Sequence, residues 1–95
     1  MAAATSIPPG IVLFGYLEAN NITRRELARE LGWSPNRISE IVNGERSITA
    51  ETAIGLGKRF GTTAEFWMTL QSTYDLARAG YVREIKVMEE DNGNV

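Results

Sequence analysis

Apolar residues recur along this chain at intervals of three and four, and polar or glycine-bearing breaks interrupt them. That spacing marks one face of a helix, and nothing before residue 81 alternates as a strand does. In "PPGIVLFGYLEANN", Val12, Leu13, Tyr16 and Leu17 share a helical stripe. The prolines suit a first turn and Asn20-Asn21 suits a stop, while Gly10 and Gly15 work against the helix. "TRRELARELG" opens on Thr23 with Glu26 three residues later, a capping-box pattern. Its stripe is Leu27, Ala28 and Leu31, and Gly32 supplies a left-handed end.

A third helix follows almost at once. Ser34 is a good N-cap, Pro35 takes the favoured first position, and Ile38, Ile41 and Val42 point inward before Gly44. The fourth has Thr49 as cap, Glu51 in the first turn, and Lys58 and Arg59 in the last, with Ala53, Leu56 and Phe60 inward. Its interior Gly55 and Gly57 each cost about 1 kcal/mol relative to alanine, and close helix packing is the expected reason. The fifth runs from Thr63 to Gly80 with Phe66, Trp67, Leu70, Tyr74 and Ala77 on one side.

After residue 80 the pattern is ambiguous. Tyr81, Ile85 and Met88 fit a helix, whereas Tyr81, Ile85 and Val87 would share one face of a strand. The reading adopted is an all-α domain over residues 1–80 and an acidic extension over 81–95, a short helix fraying into disorder after about Glu90.

Composition narrows the function. A chain of 95 residues, 43% hydrophobic, is expected to be one globular domain. No apolar run approaches the ~18 residues of a membrane span, and the start lacks signal-peptide features, so a cytoplasmic location is expected. There is no histidine and no cysteine. Disulfides, the usual zinc ligand sets and the commonest general base are thereby excluded. The carboxylates are scattered beside arginines and read as solvated surface. Neither an enzyme nor a cofactor or metal site is expected.

The net charge of −2 is unevenly placed. Residues 81–95 carry Arg83 and Lys86 against Glu84, Glu89, Glu90 and Asp91, so residues 1–80 balance at eight basic against eight acidic. Most of the arginines in that body fall between Arg24 and Arg46. Local charge decides contact with a polyanion, because screening limits its reach to a Debye length of about 8 Å.

Gly32 and Trp33 alone separate the second and third helices, too little chain for an antiparallel pair. A tight glycine turn between two capped helices is the helix-turn-helix arrangement, in which the tip of the second helix meets base edges in the major groove. Ser34, Asn36 and Arg37 then project from that tip, with Glu40 one turn further along. Asn and Arg carry the paired groups that discriminate adenine and guanine. Arg24, Asn43 and Arg46 are the phosphate candidates. The bland rivals are that Ser34 is only a cap, Arg24 only solvated, and Arg37 only paired with Glu40 at i+3. Trp33, Trp67 and Tyr74, taken singly, read as core aromatics.

The stretch from "LARELGWSPNRISEIVNGERSIT" through "TTAEFWMTLQSTYDLARA" resembles the HigA antitoxins of bacterial toxin–antitoxin pairs, within the Xre/Cro-repressor-like helix-turn-helix group. The first segment marks such repressors broadly, and the second is more particular to the antitoxins. The resemblance covers roughly Pro8 to Ala79. It implies a five-helix lambda-repressor-like domain, a homodimer, and repression of the operon encoding antitoxin and toxin. It also implies a HigB-type partner, a RelE-like endoribonuclease acting on mRNA. By position, it assigns base reading to Ser34, Pro35, Asn36, Arg37 and Glu40, and phosphate contact to Arg24 and Asn43. Members often begin His-Pro-Gly-Glu where this chain has "IPPGIV", often carry Gln at position 24, and usually carry a small aliphatic residue at position 33. The fifth helix holds more apolar surface than one core-facing stripe needs, so Phe66, Trp67, Leu70 and Tyr74 are expected at a dimer interface. A stand-alone repressor of the same fold and a helical interaction module without DNA binding are the alternatives.

Overall fold

The computed structural model describes residues 6–81. The acidic extension and its expected helix lie outside them, apart from Tyr81. Five helices follow in order: α1 (Pro9–Ala19), α2 (Arg24–Leu31), α3 (Pro35–Val42), α4 (Ala50–Phe60) and α5 (Ala64–Arg78). The all-α architecture matches the hydrophobic periodicity, and among the described residues there is no strand.

Local chemistry sets the boundaries. Thr23 Oγ1 accepts the Glu26 N–H at 3.0 Å while Glu26 Oε1 accepts the Thr23 N–H at 2.8 Å, a complete capping box. Ser34, Thr49 and Thr63 each accept the N–H three residues on, at 3.3, 3.4 and 3.1 Å. After Leu31 the chain turns through Gly32 at φ +75°, and Ala28 O accepts the Trp33 N–H at 2.8 Å. That Schellman-type closure satisfies a carbonyl at the end of α2 and redirects the chain at once into the cap of α3.

The core is Leu13 and Leu17 from α1, Leu27 and Ala28 from α2, Ile38 and Ile41 from α3, Ile48, Ala53 and Leu56, and Trp67 from α5. Tyr16, Phe60, Phe66 and Trp67 form an aromatic cluster, with Tyr16 and Phe60 centroids 5.1 Å apart and Phe66 set edge-on to Trp67 at 5.2 Å. Arg59 on α4 pairs with Glu30 on α2.

Both interior glycines of α4 have packing reasons. A Cβ on Gly55 would lie 2.8 Å from Trp33 Cζ2, and one on Gly57 would lie 2.9 Å from Thr62 O, where the chain turns into α5. The expectation of close packing holds, at the turn of the helix pair for Gly55 and at the α4–α5 turn for Gly57.

Trp67 departs from its expected place at a dimer surface. It is 0% exposed and its Nε1–H donates to Thr62 Oγ1 at 2.7 Å. A side chain enclosed by its own domain has no surface to give a partner. The buried seam of α5 is Trp67 and Gln71, with Leu70 and Tyr74 half-buried beside it and Phe66 37% exposed.

Candidate nucleic-acid interface

Helices α2 and α3 are separate rods packed against one another, joined by the turn at Gly32-Trp33. Ser34, Pro35 and Asn36 are all exposed at the start of α3. The tip is therefore open to a ligand and rigidly made, because Ser34 caps it and Pro35 presets its first backbone angle. The free N–H groups of this first turn add a partial positive charge.

The remaining candidates fall into three groups. Arg24, half-buried, stands at the first position of α2. Asn43 is exposed at the end of α3, and Arg46 follows in the loop. Glu40 accepts from Arg46, with Nε to Oε1 and Nη2 to Oε1 both 2.8 Å. The rival reading of an Arg37–Glu40 pair is not what forms: the loop after α3 folds back and brings Arg46 to the carboxylate instead. Both members are substantially exposed, so the bridge contributes little to stability.

Arg37 is placed differently from its neighbours. Its guanidinium lies 3.9 Å from the centroid of the Trp33 ring. Nη2 donates to Thr52 Oγ1 at 2.9 Å and to Glu51 Oε1 at 3.4 Å, both on α4. The side chain is 18% exposed, and Nε is buried with no acceptor among the described residues. Sequence spacing pointed this arginine outward, and the fold turns it back.

Two participants escaped the reading of the sequence. Thr52, 1% exposed, anchors Arg37 from fifteen residues away. Gln71, buried on α5, accepts the Ile48 N–H at 2.7 Å through Oε1 and donates from Nε2 to Asp75 Oδ1 at 2.9 Å. It fixes the loop that carries Arg46. A polar residue on the inward stripe of α5 was the signal available for Gln71, and Thr52 left none beyond its place three residues after the α4 cap.

Among the described residues no cluster of acidic side chains could hold a metal ion, and no helix is long and apolar enough to cross a membrane.

Residues 16–67 match the helix-turn-helix family model HTH_3. The chain is 44% identical to the Pseudomonas aeruginosa antitoxin HigA solved with the higBA promoter, with a TM-score of 0.75 over 78% of this chain and 82% of that one. An addiction-module antidote protein of the HigA family from Coxiella burnetii is 40% identical, with a TM-score of 0.74 and 95% of each chain covered. Virulence-associated protein I of Dichelobacter nodosus is 43% identical over 75 residues, 78% of this chain and 69% of that protein. Of two further curated relatives, the YbaQ regulator of Escherichia coli and virulence-associated protein A' of Dichelobacter nodosus, the chain spans 61% and 64% of the length.

Proposed function

The chain belongs to the HTH_3 family of Xre-type helix-turn-helix proteins and has the fold of HigA-like DNA-binding antitoxins, and from that premise we propose that it represses its own toxin–antitoxin operon and neutralises a HigB-type, RelE-like mRNA endoribonuclease by direct binding. The observation that carries the DNA half is the open, capped first turn of α3, where Ser34, Pro35 and Asn36 stand clear of the domain. In this reading these residues meet base edges, and Glu40 reaches the groove one turn on. Arg24, Asn43 and Arg46 hold phosphates on either side. An acidic chain can do this because the charge that counts is the local charge around α3.

A second copy completes the site. Half-sites one duplex turn apart, roughly 34–36 Å, need two recognition helices fixed in one body. We assign the pairing surface to the half-exposed side of α5, with Phe66, Leu70 and Tyr74. The protein works in the cytoplasm, where operator and toxin are both found.

Titration of the DNA upstream of the chain's own gene tests the first half. A dimer making ~6–10 phosphate contacts loses about 10³–10⁵ in affinity between roughly 50 and 200 mM salt, and a flat salt response would remove DNA binding from the proposal. Co-expression with the neighbouring gene tests the second half. A stable complex that silences the ribonuclease is expected, and absence of any complex leaves a stand-alone repressor.

A further inference from the structure

We propose that Arg37 is a positioning residue: it pins the tip of α3 to α4 and so sets how Ser34 and Asn36 meet the groove, without itself reading a base. This rests on the DNA-binding reading above and replaces the expected base contact.

The argument begins with hydrogens. A guanidinium has five N–H donors, and guanine is recognised by two parallel donors from one edge. Both of its two-donor edges include Nη2, since one pairs Nη1 with Nη2 and the other pairs Nε with Nη2. Here Nη2 spends its two hydrogens on Thr52 Oγ1 and Glu51 Oε1. Nε, the other half of one edge, is buried. A base read by either fork would therefore have to take Nη2 away from a partner it holds here.

What holds Arg37 is built into α4. The Thr52 hydroxyl lies 3.1 Å from Thr49 Oγ1, and Thr49 Oγ1 caps α4 by accepting the Thr52 N–H. At the other end, the Arg37 N–H goes to the Ser34 cap of α3. The side chain thus links the capped starts of two helices through one chain of hydrogen bonds. Trp33 forms the floor: its ring lies under the guanidinium and against the bare Cα of Gly55. Glu51 is the weakest of the partners, its side chain being 76% exposed and screened by water.

The test uses a duplex selected from a randomised library by the wild-type protein, with the set of its single-base-pair variants. Arg37→Ala and Thr52→Val are each expected to weaken binding about tenfold on every duplex, the cost of one lost hydrogen bond to a charged group. The order of preference among duplexes stays the same, and the double variant binds no worse than Arg37→Ala. Arg37→Lys keeps the charge but cannot span Trp33 and Thr52, so it does not restore affinity. Loss of preference at one base pair in Arg37→Ala, a silent Thr52→Val, or full rescue by lysine overturns the proposal. If the wild type selects no duplex, the DNA-binding reading fails, and the free protein decides the latch by ¹⁵N NMR. Slow exchange of the Arg37 Nε–H that becomes fast in Thr52→Val upholds it. Fast exchange in the wild type overturns it.

Discussion

Gln71 Oε1 accepts the backbone N–H of Ile48 at 2.7 Å, inside the protein and across twenty-three residues of sequence. The bond fastens the loop between α3 and α4 to α5. Ile48 itself is buried, so its N–H has no water to turn to.

Gln71→Leu keeps the volume and removes the acceptor. An unsatisfied buried N–H costs about 1–3 kcal/mol, and the urea midpoint is expected to fall by that loss divided by an unchanged slope. Operator affinity falls further than stability alone requires, because Arg46 sits on the loosened loop. A midpoint equal to that of the wild type would mean that the loop is held by something else.

What could be read in the sequence and what could not divide by distance along the chain. Thr23 with Glu26, and Ser34 with Pro35, act within one helical turn, and their chemistry was visible in the residue order. The stripe Leu27-Ala28 was visible for the same reason. Arg37 met Thr52, and Gln71 met Ile48, only after folding brought distant helices together. Trp67 illustrates a different failure. Phe66 and Trp67 are neighbours on the apolar side of α5 and both join the aromatic cluster, but only Trp67 is enclosed, and periodicity cannot tell which of two adjacent aromatics that will be.

Gly55→Ala should show a reversal of sign. In a free helix the exchange favours the helix by about 1 kcal/mol. Here the new Cβ meets the Trp33 ring at 2.8 Å, and overpacking of this kind costs about 1–3 kcal/mol. The ring cannot retreat without leaving Arg37. Gly55→Ala is expected to destabilise the wild type and to stabilise the Trp33→Leu variant, as read by thermal unfolding of the four proteins in a double-mutant cycle. Additive effects would exclude the contact.

Ser34 has a capping role seen in the structure and a groove role proposed for it, and one substitution separates them. Aspartate is as good a cap as serine, so Ser34→Asp is expected to keep stability within about 0.5 kcal/mol. Its charge would face the phosphates of the duplex, and binding is expected to weaken by tenfold or more in low salt, about 1.4 kcal/mol. Fluorescence anisotropy with the selected duplex gives the comparison. Unchanged binding would place the start of α3 outside the groove.

The dimer surface proposed on α5 can be tested by charge. Leu70 is half-buried beside the seam, whereas Leu76 is 49% exposed and lies about 120° away around the helix. If the pairing face is the one carrying Phe66, Leu70 and Tyr74, a carboxylate at position 70 must be desolvated on association without a partner, which association cannot overcome. Leu70→Glu is expected to sediment as a 10.5 kDa monomer while circular dichroism still reports a helical protein, and Leu76→Glu is expected to remain a dimer. Monomers lose the second half-site, so operator affinity drops with the oligomeric state in the first variant and not in the second. A dimeric Leu70→Glu, or a monomeric Leu76→Glu, would move the interface to another side of the helix.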